Sequence, residues 1–179
     1  AGHLHAARLA ADGLDFFVQR DRVALQRGHL RVAVQRMEAA RGVPRGARGE
    51  HLALEQARVA LASGANVIVA QGQEAGGHGM IARGTLSLVP AIVDLAGSVP
   101  VVAAGGIADG RGLAAALMLG ASGVLMGTRF CAAEESLWKP EMKADIVAAQ
   151  GDDTVRTSIF DLFRDPAWPA PFDGRAIRN

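Results

Sequence analysis

His78 stands inside a glycine-rich stretch, Ala70-Gln-Gly-Gln-Glu-Ala-Gly-Gly-His-Gly79, directly after a short apolar run. Imidazole titrates near neutral pH, so a histidine held in such a turn can act as a general base. The alternative is that His78 merely hydrogen-bonds its own loop. Gly72, Gly76, Gly77 and Gly79 permit unusual backbone angles and let a flat ligand lie close to the main chain. A second turn, Ala104-Gly-Gly-Ile-Ala-Asp-Gly110, follows another apolar run and opens a helical stretch. Amide N–H groups at a helix start can hold a phosphate dianion. A third turn, Gly127-Thr-Arg-Phe130, offers further N–H groups and a hydroxyl. Each turn alone is a weak signal, and neither a GxGxxG nor a GxxxxGK[ST] pattern is present, so a dinucleotide fold or Walker loop is unsupported.

The elements that must carry these turns read as repeated βα units. Asn66 to Gln71, Pro100 to Ala104 and Gly123 to Met126 are short, apolar on both faces and bounded by glycine or proline. Continuous apolarity marks strands covered on both sides. Leu52 to Ser63 is expected as a helix with Leu52, Leu54, Ala57 and Leu61 on one face, stopped by Gly64. Thr85 is the expected N-cap of a helix to about Ala96, and Asp109 that of Gly110 to Leu119. Alternation of this kind gives a parallel sheet by the right-handed crossover rule. Gly105 and Gly127 are 22 residues apart on consecutive strands, the layout of the phosphate site after strands seven and eight of a (β/α)8 barrel. Helix is expected from Thr128 to about Ala149, then an irregular Pro- and Asp-rich tail from Asp161 to Asn179.

Three regions follow: an Arg-rich segment over 1–50, βα units over 51–137, and a C-terminal helix and tail over 138–179. In the first, Leu30 to Ala40 can form an amphipathic helix, little else is periodic, and no strand comparable to the later three is expected. Nine of the 17 arginines fall within residues 8 to 48. That stretch lacks the interleaved aromatics of single-strand binders, which makes nucleic acid the weaker reading. A formal charge of +1 supplies no general field for nucleic acid or an anionic membrane. No apolar run reaches the roughly 18 residues of a membrane span. The lone cysteine, Cys131, excludes an internal disulfide or a CxxC site and makes a reducing, cytoplasmic setting the default. His3 and His5 read as exposed, and no metal site is expected.

AQGQEAGGHG, followed by PVVAAGGIADGRGLAAALMLGASGVLMGTRF, resembles the nitronate monooxygenases. The likeness runs from about residue 52 onward and includes DDTVRT (152–157) and GRAIRN (174–179). It implies a barrel that binds flavin mononucleotide (FMN) without a covalent link and oxidises alkyl nitronates or nitroalkanes with O2. His78 matches the catalytic histidine, taking the α-proton of a neutral nitroalkane. Gln71, Gly76 and Gly77 match flavin-contacting positions. Gly105 and Gly106 match the first phosphate turn, and Leu125, Met126, Gly127 and Thr128 the second. Glu74 is expected to orient the loop, and Arg129 to pair with a carboxylate or the phosphate.

A complete barrel takes about 250 residues, and only three strands are visible here. A partial barrel lacking its N-terminal strands is therefore expected, from a truncated or mis-framed longer sequence. Open sheet edges would then favour association with another copy. The flavin-dependent enoyl-acyl-carrier-protein reductases share closely similar EAGGH, AAGGI and MGTRF segments and form the nearest alternative. An inactive fragment is the other.

Overall fold

The computed structural model describes residues 49–81, 83–162 and 172–178, together with four short strands before them. Those strands are β1 (Ala6–Ala7), β2 (Phe16–Gln19), β3 (Arg22–Ala24) and β4 (Val32–Val34). His3, His5 and most of the Arg-rich stretch lie outside the described residues.

The three expected strands are present as β5 (Val67–Gln71), β7 (Val101–Ala104) and β8 (Gly123–Leu125). Between them run α2 (Thr85–Ala96) and α3 (Gly110–Met118), with α1 (Gly49–Ala62) ahead of β5. The strands form one parallel sheet, ordered β4-β5-β7-β8. The expectation that no strand comparable to the later three precedes residue 50 is thus corrected by β4. Val32 to Val34, placed by periodicity in a helix, pairs in parallel with Val67 to Val69. Three consecutive β-branched and small residues satisfy a strand as readily as a helix face, and pairing to β5 decides between them.

Ile68, Val69 and Ala70 are buried in succession, as a strand covered on both faces requires. Leu88, Val89 and Ile92 of α2 pack onto β5 and β7 to complete the core. On α1 the buried stripe is Ala53, Gln56 and Ala57, while Leu54 and Leu61 are only partly buried. Leu54 and Leu61 of the expected face pack against the core at the rim of that stripe. At the opposite edge, β8 has no partner beyond β7 among the described residues, and Leu113, Leu117, Met118, Leu125 and Phe130 are exposed.

The single helix expected over 128–149 is broken into α4 (Thr128–Cys131) and α5 (Pro140–Ala148). Pro140 cannot donate to a preceding turn and holds Lys139 extended, so it opens a helix rather than continuing one. Nor is the tail irregular throughout. β9 (Thr154–Thr157) and β10 (Asp173–Ile177) form an antiparallel sheet with β6 (Gly77–Gly79), in the order β6-β10-β9. Pro166, Pro169 and Pro171 lie outside the described residues. No helix among the described residues is long and apolar enough to cross a membrane.

Candidate active site

The three glycine turns follow β5, β7 and β8, so all leave the carboxyl edge of one parallel sheet, where βα proteins place their chemistry. The first turn is tied to the second. Gly72 N–H donates to the Ala104 carbonyl at 2.9 Å. Gly105, at φ +103°, is packed so that a Cβ would lie 2.9 Å from the Ala75 nitrogen. A Cβ on Gly106, at φ +70°, would lie 3.1 Å from Glu74 Cβ. Only glycine combines that backbone with that approach. The first turn also meets the third, since a Cβ on Gly76 would stand 2.8 Å from Thr128 Oγ1.

Glu74 organises this junction. Its carboxylate accepts from Thr85 N–H at 2.8 Å and lies 2.9 Å from Thr85 Oγ1. Gly84, not Thr85, is the N-cap of α2, and no side-chain cap comes from it. The capping oxygen arrives instead from Glu74, eleven residues upstream. Thr85 Oγ1 also lies 2.8 Å from the Gly105 carbonyl, so one hydroxyl touches both the first and second turns. The loop-orienting role expected of Glu74 is met.

Asp109 caps α3 as expected, accepting from Arg111 and Gly112 N–H. Those amides are therefore engaged, and the phosphate expectation at this corner narrows to Gly106 and Ile107. Among the described residues, the N–H groups of Gly106, Ile107, Gly127 and Thr128 meet no main-chain acceptor. A Cβ at Gly127 would enter open space. The Arg111 side chain, bonded to Asp109, holds that carboxyl below the usual carboxylate range. Arg129 makes no ion pair among the described residues, so its expected carboxylate partner is not observed there.

His78 lies in the middle of β6, opposite Gly174 of β10. Its Nε2 is 2.7 Å from Asp161 Oδ1, and the two side chains are 18% and 5% exposed. Gln71, expected to contact a flavin, commits its side-chain N–H to the His78 carbonyl at 2.8 Å and so closes the loop. Arg156 clamps both ends of this loop, donating to the Gln73 carbonyl at 2.9 Å and the Gly79 carbonyl at 2.8 Å. It is itself paired with Asp173, its Nε 2.6 Å from Oδ1. Asp161, Arg156 and Asp173 were not singled out from sequence. Alternation in Thr154-Val-Arg-Thr157 is the signal for β9; nothing local marks Asp161, which is 83 residues from its histidine.

A cavity of about 210 Å³ lies between α2 and α3, lined by Glu74, Thr85, Gly105, Gly106, Ile107 and Leu119, among others. His78 and Thr128 are not part of its wall. It is smaller than the roughly 300–1,000 Å³ of typical cofactor pockets. The described residues thus bring three glycine turns together at one sheet edge, with His78 in the strand that closes the first of these loops. Among them, no group of three or more His, Cys, Asp or Glu side chains converges as a metal site. Cys131 is partly buried, and that burial pushes its thiol up.

Residues 43–164 match the family model described as nitronate monooxygenase. The nitronate monooxygenase npaC of Metarhizium robertsii is 46% identical over 127 residues, covering 67% of this chain and 36% of that protein. The nitronate monooxygenase of Neurospora crassa is 44% identical over 137 residues, covering 70% and 36% respectively. The chain thus spans little more than a third of the length of these relatives. Among solved structures, FabK from Thermotoga maritima is similar at a TM-score of 0.60 and 42% identity, over 69% of this chain and 36% of that one. The enoyl reductase domain of MlnA from Bacillus amyloliquefaciens, at 15% identity and a TM-score of 0.53 over 92% of this chain and 40% of that one, shares the fold. The chain belongs to the nitronate monooxygenase family, whose members are flavin-dependent oxidoreductases.

Proposed function

We propose that this chain carries the phosphate-binding and proton-transfer part of an FMN-dependent enzyme that oxidises alkyl nitronates or nitroalkanes with O2. The observation that carries this reading is the packing of the His78 loop directly against the two glycine turns. The Gly76–Thr128 and Gly105–Ala75 approaches join all three turns at one sheet edge. The four parallel strands are read as one part of a (β/α)8 barrel, with the remaining flavin pocket contributed by sequence beyond that described.

The N–H groups of Gly106, Ile107, Gly127 and Thr128 would hold the FMN phosphate, and the open space beside Gly127 leaves room for it, while Gly105 and Gly106 let the second turn pack against the first. Gly76, Gly77, Leu125 and Met126 would border the flavin, with Gln71 holding the loop behind them. Bound flavin supplies the electron acceptor and passes electrons to oxygen. His78 takes the α-proton of a neutral nitroalkane; a nitronate, already deprotonated, does not need that step. The setting is read as cytoplasmic.

Absorbance after incubation with FMN and desalting tests cofactor retention, and a colourless protein defeats the reading. Replacing His78 by Asn should slow neutral nitroalkane turnover by about 10²-fold or more while sparing preformed nitronate. Equal loss on both would leave His78 a structural residue. Likeness to FabK favours a second reading, a flavin-dependent enoyl-acyl-carrier-protein reductase. NADH oxidation with an enoyl thioester, and none with propionate-3-nitronate, would select it.

A further inference from the structure

We propose that Thr85 is a positioning residue whose hydroxyl holds the Gly105–Gly106 peptide in one orientation and so aims the Gly106 N–H that a bound phosphate would use. This rests on the reading of that turn as part of a phosphate site.

A trans peptide is planar, with its C=O and N–H pointing in opposite directions. Fixing the Gly105 carbonyl therefore fixes the Gly106 N–H as well. This plane needs fixing because glycine stands on both sides of it, at φ +103° and +70°. No Cβ resists its turning over, and glycine accepts either sign of φ. Among the described residues, the Gly106 N–H meets no acceptor, and the Gly105 carbonyl meets one donor, the Thr85 hydroxyl at 2.8 Å. That bond is the tether of this peptide.

The hydroxyl is itself held in place. Thr85 opens α2, where both carboxylate oxygens of Glu74 accept from its N–H, at 2.8 and 3.1 Å. An added Cβ at Gly72 would overlap Thr85 Oγ1, and one at Gly105 would stand 3.1 Å from it, so the first two turns close around this atom. Its single hydrogen faces three acceptors: the Gly105 carbonyl, Glu74 Oε2 at 2.9 Å and the Ala104 carbonyl at 3.3 Å. Glu74 already has the Thr85 N–H, and the Ala104 carbonyl already has the Gly72 N–H. Of the three, the Gly105 carbonyl alone depends on the hydroxyl. Sharing the hydrogen with Glu74 in a three-centre bond keeps the same hold. With the plane already set, an arriving dianion meets its donor without first having to order the peptide.

Gly76–Gly77 and Gly105–Gly106 are the two Gly–Gly pairs of the chain. Protein synthesised with glycine carrying carbon-13 at the carbonyl and nitrogen-15 at the amide therefore shows two peptides in an amide-to-carbonyl correlation spectrum. Gly77→Ala, whose Cβ would meet nothing within 4 Å, removes one and assigns both. Thr85→Ala and Thr85→Val remove the hydroxyl but keep the N–H that bonds Glu74, and Thr85→Ser keeps both. The Gly105 carbonyl signal should move upfield in the Ala and Val variants, as it does when a carbonyl loses its donor, and return in Thr85→Ser. Quenching of flavin fluorescence then compares FMN with riboflavin, which lacks the phosphate. Thr85→Ala should weaken FMN about tenfold while riboflavin stays within about twofold, with Thr85→Ser close to the parent. A Gly105 signal unmoved in both the Ala and Val variants overturns the proposal, as does unchanged FMN affinity or an equal loss on both flavins. If the parent itself shows no preference for FMN, the phosphate reading fails, and the glycine spectrum, taken without ligand, still decides whether Thr85 holds the peptide.

Discussion

Replacing Gln56 by methionine is expected to stabilise this fold. Gln56 faces inward from α1 between Ala53 and Ala57 and is 1% exposed. Neither its Nε2 nor its Oε1 has a hydrogen-bond partner among the described residues. In water both atoms would be fully bonded, so burial forfeits those bonds with no return. Leaving a buried amide unsatisfied costs about 1–3 kcal/mol on mutational scales. Methionine has similar length, nearly the same helix propensity and no polar group to desolvate, so the change keeps volume and removes the penalty. A gain of about 1–3 kcal/mol is roughly a five- to 150-fold shift in the unfolding equilibrium. The assay is urea unfolding followed by far-UV circular dichroism, where the midpoint should rise by about 1 M with an unchanged slope. Gln56→Ala removes the same amide but opens a cavity, and it should fall below the methionine variant by about 2 kcal/mol. A methionine variant less stable than the parent by more than about 1 kcal/mol, at unchanged slope, would refute the reasoning. The amide would then have to be bonded.

Arg156→Ala would strand the Asp173 carboxylate and the Gln73 and Gly79 carbonyls where the Arg156 and Asp173 side chains are 10% and 16% exposed. A loss of about 3–5 kcal/mol is expected in thermal unfolding, with Arg156→Lys recovering little because it lacks the planar fork. Gly105→Ala combines φ +103° with a Cβ 2.9 Å from Ala75 nitrogen. It should destabilise by about 1–3 kcal/mol and abolish FMN uptake, read by quenching of flavin fluorescence. Asp109 has a depressed carboxyl because Arg111 bonds its charged form, so its support of α3 is present above the ordinary value of 3.8. That support is lost as pH falls through the lower folded value. Acid titration of Asp109→Asn, which caps without charge, should show a smaller drop in helicity over this window than the parent.

The parallel sheet was legible because each of its later strands is an uninterrupted apolar run closed by glycine or proline. Both helix ends of α3 were legible because Asp109 and Gly120 carry local signals. Gly120 stands at φ +90°, where a side chain is disfavoured. Where the reading failed, the deciding interaction was remote. Val32 to Val34 became a strand through pairing to β5, and Thr85 lost its capping role to Glu74 from another loop. The candidate site divided along the same line. Gly72, Gly76, Gly105 and Gly106 announce themselves in sequence because close approach forbids any other residue. Asp161 sits in Ser-Ile-Phe-Asp-Leu with no spacing to His78, and only the β6-β10-β9 register brings it to the imidazole.

That register imposes an order of assembly during synthesis. The glycine turns and their sheet can fold as soon as β8 has emerged, because their contacts lie within one continuous stretch. The imidazole then waits, without its carboxylate and without a neighbouring strand, until β9, the turn after it and β10 leave the ribosome. A nascent chain could therefore hold the formed glycine turns before His78 meets Asp161.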